Sequence, residues 1–250
     1  AKDSLDTLIE MDDGVGEFYK KRASVYKDLG DLEKAIEDLD KAIELEQYNY
    51  AYYFDKYFIL IELNQEDEAK VALQETVNIE IKNETDKYNS AKVNYYLGNY
   101  DAAFEVFTDT AKEGINESNY YLARIMEQEG KLEAAVTYYK ELLLLPINEQ
   151  DISSYYLALS YNQLGYSQLE LKKFEEALSS FNIGLSLDEP LLKKALLKNK
   201  VIALESLGNY EEAYELLQEY TLLYPEDDEA IKELEFALTR LPQASPPVEE

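Results

Sequence analysis

The chain has 250 residues, a formal net charge of −28, and neither cysteine nor histidine. Such an acidic surface repels the phosphates of nucleic acids and anionic lipid headgroups, so we expect neither as a direct ligand. Without Cys and His the chain lacks disulfides, thiolate nucleophiles, Cys/His zinc sites and Ser-His-Asp triads, and we predict no enzymatic activity, no cofactor and no metal site.

Helix-forming residues dominate the composition. Glycine and proline are scarce, with nine and six residues, whereas Leu, Ala, Glu and Lys are abundant. This balance predicts an all-α protein. No run of about 18 apolar residues occurs in the sequence, so we predict no membrane-spanning helix.

A period of about 34 residues runs through the sequence. Seven similar stretches each begin with an alanine: Ala1, Ala35, Ala69, Ala103, Ala135, Ala177 and Ala213. Five residues before the last six of these alanines lies a candidate turn residue: Gly30, Asn64, Gly98, Gly130, Lys172 and Gly208. Glycine there ends a helix in the left-handed conformation. Each unit is therefore predicted to form a helix A, a tight turn and a helix B.

This period and these residue types resemble the tetratricopeptide-repeat (TPR) family. The family's Leu-Gly pair corresponds to Leu164 and Gly165, the aromatic residue of helix B to Phe181, and the final proline to Pro225. The resemblance implies a right-handed superhelical solenoid of antiparallel helix pairs. It also implies that the chain binds a protein or peptide partner rather than catalysing a reaction.

In chain order, residues 1–13 are predicted to form a partial repeat or an N-terminal cap helix. Six TPR-like repeats follow within residues 16–225, at about 16–49, 50–83, 84–115, 116–149, 150–191 and 192–225. An insertion near residues 148–155 is expected to lengthen a loop or helix A of the fifth repeat. Residues 226–240 carry one apolar face and are predicted to form a capping helix, and the Pro-rich, acidic residues 241–250 a disordered tail.

The outward positions of the A helices form the predicted binding surface, because helix A of every repeat lines the concave side of a TPR solenoid. The candidate partner-binding residues are Lys20, Phe54, Phe58, Tyr88, Lys92, Tyr95, Tyr120, Arg124, Tyr166 and Lys198, with Lys27 and Tyr121 at equivalent positions. Lys92 and Arg124 are candidates to hold a carboxylate. Two alternatives stay open: neighbouring helices fill the groove, or these cations are solvated surface charges. Several other tyrosines are predicted to be core residues: Tyr19, Tyr26, Tyr53, Tyr139 and Tyr161.

One specific mode of TPR binding is not expected. TPR domains that hold the acidic tail of chaperones use Lys and Asn in the first repeat, Asn in the second, and Lys and Arg in the third. The matching positions are Lys20 and Ser24, then Asp55, then Thr85 and Asn89. Only Lys20 fits this pattern.

The acidic, Tyr-rich character and the lengthened fifth unit also resemble the TPR lipoproteins of Gram-positive bacteria. That resemblance implies a signal sequence and a lipidated Cys upstream, which would anchor the repeats on the outer face of the membrane. A cytoplasmic scaffold is the alternative location. A structural or self-associating subunit of a cell-envelope or cytoplasmic assembly is the alternative function, and we expect a monomer.

Overall fold

The computed structural model describes residues 1–144 and 153–241, and in those ranges it is helical and contains no β-strand. This confirms the predicted all-α class. The helices of the described ranges are α1 (Lys2–Met11), α2 (Gly16–Asp28), α3 (Leu32–Leu45), α4 (Tyr50–Glu62), α5 (Glu66–Gln74), α6 (Glu84–Tyr96), α7 (Tyr100–Lys112), α8 (Ser118–Gln128), α9 (Leu132–Leu143), α10 (Ser154–Glu170), α11 (Phe174–Ser186), α12 (Pro190–Ser206), α13 (Tyr210–Leu223) and α14 (Asp228–Arg240). A short 3₁₀ helix, Glu75–Asn78, extends α5. The chain divides into two compact units, residues 1–118 and 119–250.

The turns between paired helices are those that the sequence predicts. All six predicted turn residues have positive φ angles: Gly30 (78°), Asn64 (60°), Gly98 (82°), Gly130 (72°), Lys172 (59°) and Gly208 (78°). After each of them, the next residue donates its backbone N–H to a carbonyl five residues earlier, as Asp31 does to Tyr26 at 2.9 Å. This is the hydrogen bond of a Schellman motif, which satisfies a carbonyl at the helix end.

The periodic alanines are core residues of the helix pairs. Each falls near the start of a helix B and is completely buried: Ala35, Ala69, Ala103, Ala135, Ala177 and Ala213. The distance between two packed helices depends on the side chains at their contact. A methyl group at these buried positions therefore permits a close approach of the paired helices.

The first unit contains α1 to α7, which pack in sequence order. Its core has two adjoining clusters, one around Leu39, Tyr52 and Ile59 and one around Tyr53 and Leu73. The N-terminal helix α1 has no fully buried residue, and ion pairs of Arg22 connect it to α2 and α3. The Arg22 guanidinium on α2 binds Asp6 on α1 at 2.8 Å and the buried Asp38 on α3 at 2.7 Å.

The second unit follows the same pairing and ends with α14. Phe181 on α11 is completely buried and lies against Gly165 on α10. Leu217 and Tyr220 on α13 pack with Ala237 on α14. Because its Ala230 and Ala237 are buried while most of its charged residues are exposed, α14 covers the end of this core.

Two predicted segments fall mainly outside the described residues. Residues 148–152 of the predicted insertion and residues 242–250 of the predicted tail are not described by the structure. Helix α10 has 17 residues, compared with 13 for α2, α4 and α6. Among the residues that are described, no helix combines the length and the apolar character needed to cross a membrane.

The predicted core tyrosines are mostly confirmed. Tyr19, Tyr53 and Tyr139 are buried. Tyr26 and Tyr161 are only half-buried.

Candidate functional site

A groove of about 760 Å³ lies between α4 and α6 in the first unit. Helix α4 supplies Phe54, Asp55 and Phe58, and α6 supplies Asp86, Asn89 and Lys92; the segment from Leu45 to Ala51 completes the lining. Spacings of three and four residues place side chains on one face of a helix. The two sets of residues have that spacing, so each helix presents a single face to the groove.

Side-chain caps fix where these two helices begin. The Asn49 side chain accepts a hydrogen bond from the Ala51 N–H at the start of α4, and the Asn83 side chain accepts one from the Asp86 N–H at the start of α6. Such caps satisfy backbone donors that the helix leaves unpaired. Between the helices that begin at these caps, Phe54 of α4 faces Lys92 of α6.

A second, smaller groove of about 210 Å³ adjoins the first. Helix α2 lines it with Lys20, Ser24 and Lys27, and α4 lines it with Asp55 and Phe58. The same two α4 residues line the larger groove. The grooves therefore share a wall, and together they form one surface across α2, α4 and α6, which we call the A-helix face of the first unit.

Phe58 is the exposed aromatic residue of this face. It is 42% exposed, and its ring makes edge-to-face contacts with Tyr57 and Tyr96 at centroid distances of 5.3 Å. These neighbours hold the ring in one orientation. A ring that is both exposed and fixed loses little conformational entropy when a partner packs against it.

The charged residues of the A-helix face are partly removed from water. The Asp55 carboxylate lies 3.9 Å from the Lys20 ammonium. Burial raises the pKa of Asp55, and the nearby Lys20, Lys27 and Lys92 oppose that rise. A carboxylate and several ammonium groups therefore share a surface of reduced polarity, where each interacts more strongly than in bulk water.

Lys92 has the most perturbed environment on this face. Its Nζ lies 4.2 Å from the centroid of the Phe54 ring and 5.6 Å from that of Tyr88. Burial lowers the pKa of Lys92 to about 8, and the negative charges of Glu117 and Asp55 oppose the shift only in part. The rings offer the ammonium the negative faces of their π systems, which replace part of its lost hydration.

Two predicted site residues are buried: Phe54 lines the larger groove, whereas Tyr88 lines neither groove. Phe54 is 6% exposed and packs against Tyr96, and Tyr88 is 9% exposed and packs against Phe107. For these two rings, neighbouring residues fill part of the space, which is one of the two alternatives that the sequence left open. Tyr95 is half-buried against Tyr96 and Tyr100 and lines neither groove.

The remaining predicted site residues belong to the second unit, and two of the cations there are paired. Arg124 binds Glu127 at 2.9 Å. Lys198 lies 3.4 Å from Asp227 and 3.5 Å from Glu229. The positive charges of Arg124 and Lys198, which the sequence suggests for binding a partner, are therefore partly neutralised by carboxylates of the chain itself.

The aromatic residues of the second unit differ in exposure. Tyr166 is 48% exposed. Tyr120 is half-buried and contacts Tyr139 and Tyr156. Tyr121 was expected on the binding surface but is buried, and its hydroxyl lies 3.3 Å from that of Tyr156. Its side chain points along the contact between consecutive A helices, which corrects that expectation.

A cavity of about 230 Å³ lies between α12, α13 and α14, and the sequence did not predict it. Glu205 and Glu233 line it together with Val201, Leu217 and Ala230. Burial, with help from Glu233, raises the pKa of Glu205 to about 7. Within the described residues, the buried Oε1 of Glu205 has no hydrogen-bond partner.

Sequence reasoning also missed polar residues of the A-helix face. Asp86 and Asn89 line the larger groove, and Asp55 lines both grooves, although Asp55 and Asn89 were considered only as clamp positions. A spacing of three residues was a usable signal, because it places residues on a shared helix face: it separates Asp55 from Phe58, Asn89 from Lys92, and Asp86 from Asn89.

Comparisons with known proteins agree with the observed fold. Sequence models of the tetratricopeptide repeat match residues 16–49, 88–152 and 158–190, which together are just over half of the chain. The chain belongs to the tetratricopeptide-repeat family. No curated protein sequence is significantly similar to this TPR chain.

Solved structures share the fold at low sequence identity. The APC/C hetero-tetramer Cut9-Hcn1 matches with a TM-score of 0.72 and 15% identity over 95% of this chain and 46% of that one, so the TPR chain spans about half its length. PilW, described as a widely conserved type IV pilus biogenesis factor, matches with a TM-score of 0.65 and 17% identity over 89% of this chain and 98% of that one. PilF of Pseudomonas aeruginosa matches with a TM-score of 0.58 and 13% identity over 88% and 97%. These similarities show the fold alone.

Proposed function

We propose that this TPR chain is a non-enzymatic scaffold that binds a peptide segment of a partner protein on the A-helix face of its first unit. The observation that carries the proposal is the pair of grooves that meet at Asp55 and Phe58. An exposed, oriented aromatic ring beside charged groups of reduced hydration is typical of a binding hot spot. The TPR fold commonly serves as a protein-interaction scaffold, which supports the proposal.

Affinity capture from the source cells tests this proposal. The Phe58→Ala variant is compared with the unmodified chain and with Phe236→Ala, which removes an aromatic ring of similar exposure from α14. Circular dichroism checks that both variants are folded. A partner that binds the unmodified chain and Phe236→Ala, but not Phe58→Ala, supports the A-helix face as the site. Equal capture by all three would place the site elsewhere.

Self-association is the alternative function, and we propose a monomer. Multi-angle light scattering over a wide concentration range separates the two. A constant mass near 28.9 kDa at high concentration is the result expected of a scaffold that binds other proteins. Reversible growth in mass, together with capture of the chain itself and nothing else, would favour a structural subunit.

We further propose that the full-length protein is anchored by a lipid to the outer face of a bacterial membrane. The resemblance of the repeat layout to TPR lipoproteins supports this location. Metabolic labelling of the full-length protein with an alkyne fatty acid tests it. Labelling that disappears when an upstream Cys is replaced would support the anchor, whereas an unlabelled protein in the cytoplasmic fraction would refute it.

A further inference from the structure

The A-helix face of the first unit contains a desolvated cation whose charge the groove does not balance at short range. Lys92 lines the larger groove beneath the accessible surface of α4 and α6. Among the residues that the structure describes, no carboxylate oxygen lies within the ion-pair distance of 4.0 Å from its Nζ. The Phe54 and Tyr88 rings offer an electrostatic contact but no hydrogen-bond acceptor of comparable strength.

The acidic residues around the groove already have partners. Asp55 pairs with Lys20, Asp86 accepts a hydrogen bond from the Lys82 N–H at 3.0 Å, and Glu46 accepts one from the Tyr52 hydroxyl at 3.0 Å. A basic ligand would have to compete for these groups. An acidic ligand would instead supply Lys92 with the acceptor that it lacks.

The shape and chemistry of the groove favour a carboxylate beside an apolar group. Asn89 lies one helical turn before Lys92 and lines the same groove, so its side-chain amide can donate to the second oxygen of a carboxylate bound at Lys92. Phe58 lies on the opposite wall and offers an exposed ring. Charge-assisted hydrogen bonds are the strong ones when water is excluded.

We propose that Lys92 binds the carboxylate of an Asp or Glu side chain in a peptide segment of the partner protein, with an apolar neighbour of that residue packed on Phe58. This inference rests on the proposed function and names the chemistry of the partner. It differs from the chaperone-tail clamp, because Lys92 lies three residues beyond Asn89, the last clamp position.

A library of displayed 12-residue peptides with blocked ends, selected on the full chain, supplies the probe. Each enriched peptide is then made with Glu→Gln or Asp→Asn at its acidic positions. We expect that, for one acidic position of the peptide, this replacement weakens binding to the unmodified chain by about tenfold or more. The same replacement should weaken binding to the Lys92→Met variant by less than about twofold. The control Lys70→Met removes an exposed lysine on α5 and should behave as the unmodified chain.

Other outcomes of this experiment overturn the inference in distinguishable ways. In one such outcome, selected peptides bind Phe58→Ala more weakly but bind Lys92→Met as tightly as the unmodified chain. That result would refute carboxylate binding by Lys92 and leave the proposed function intact. Failure to enrich any peptide would count against both. Dimerisation that Lys92→Met abolishes would replace the partner with a second copy of the chain.

The pH dependence of binding provides an independent test. The groups facing Lys92 are Asp55 on α4, Tyr88 on α6 and Glu117 after α7. Because the carboxylate selects the protonated amine, affinity for a selected acidic peptide should fall as the pH rises through about 8. In Lys92→Arg the cation remains protonated, so affinity should stay level between pH 7 and about 9.5. Identical profiles for the two proteins would contradict the proposal.

Discussion

Gly165, in the middle of α10, is a position where one added methyl group should disrupt the packing of a helix pair. A Cβ placed there would lie 2.7 Å from Cζ and 2.8 Å from Cδ1 of Phe181, and Phe181 is completely buried. In an open helix, Gly→Ala stabilises by about 1 kcal/mol. Overpacking a core typically costs about 1–3 kcal/mol. The ring is rigid and enclosed, so we expect Gly165→Ala to be destabilised by about 1–2 kcal/mol net.

Gly184→Ala in α11 is the matched control for this prediction. At Gly184 the added methyl group would lie within 3.0 Å of one atom, Leu196 Cδ2 at 2.8 Å, and the buried leucine can relieve that contact by a change of rotamer more easily than a ring can. Urea denaturation followed by circular dichroism should therefore show a clearly larger loss for Gly165→Ala than for Gly184→Ala. In a double-mutant cycle, Phe181→Leu should recover about 1 kcal/mol of the Gly165→Ala cost. A Gly165→Ala chain at least as stable as the original would refute the argument.

Three further predictions concern other parts of the chain. Burial raises the pKa of Glu205 from 4.5 to about 7 in the folded state. The contribution of protonated Glu205 to stability is therefore fully present below pH 4.5 and is lost as the pH rises through 7. At pH 8, Glu205→Gln should therefore be more stable by about 1 kcal/mol, allowing for partial solvent screening, as slower hydrogen exchange in α14 would show. Lys172→Gly, at a φ of 59°, should raise the urea midpoint by the equivalent of about 0.5–1 kcal/mol, and an unchanged midpoint would contradict this. Arg22→Met leaves the buried Asp38 unpaired and should cost about 2–3 kcal/mol of unfolding free energy, unless Asp38→Asn restores it.

The helix pairs were predictable because local features specify them. A left-handed turn residue followed five positions later by a buried alanine marks each pair, and the marker holds even at Asn64 and Lys172, where glycine is absent. At Lys172 the Schellman hydrogen bond from Lys173 to the Gln168 carbonyl and the burial of Ala177 favour the same turn. These contacts join residues fewer than ten positions apart, so the spacing of residue types was sufficient to predict them.

The exposure of the candidate site residues was not predictable in the same way. Phe54 and Phe58 lie one turn apart on α4, yet the first is buried and the second is exposed. Both rings contact Tyr96 edge-to-face, but Phe54 is also covered by Tyr50 and by Lys92 of the following A helix. Helical spacing places a side chain on a face, but whether a neighbouring helix covers that face depends on the packing of two repeats.

Contacts between consecutive A helices join residues about one repeat apart, and these contacts determine the charge of the A-helix face. Lys20 pairs with Asp55 and Lys27 with Glu62, each across 35 residues, so two cations of α2 are neutralised by acids of α4. Lys92 meets α4 at a spacing of 38 residues, and there it finds the Phe54 ring instead of a carboxylate. The spacing of 38 residues exceeds the spacing of the two ion pairs by three residues, which is almost one helical turn. The lysine at the longer spacing therefore lies on a ring, as a desolvated ammonium without a paired carboxylate.

In a chain with a net charge of −28, such a position can select an acidic group only at short range, because long-range forces repel it. Specificity for a carboxylate would then appear mainly in the dissociation rate of the complex, and slow association should quicken as added salt screens the repulsion.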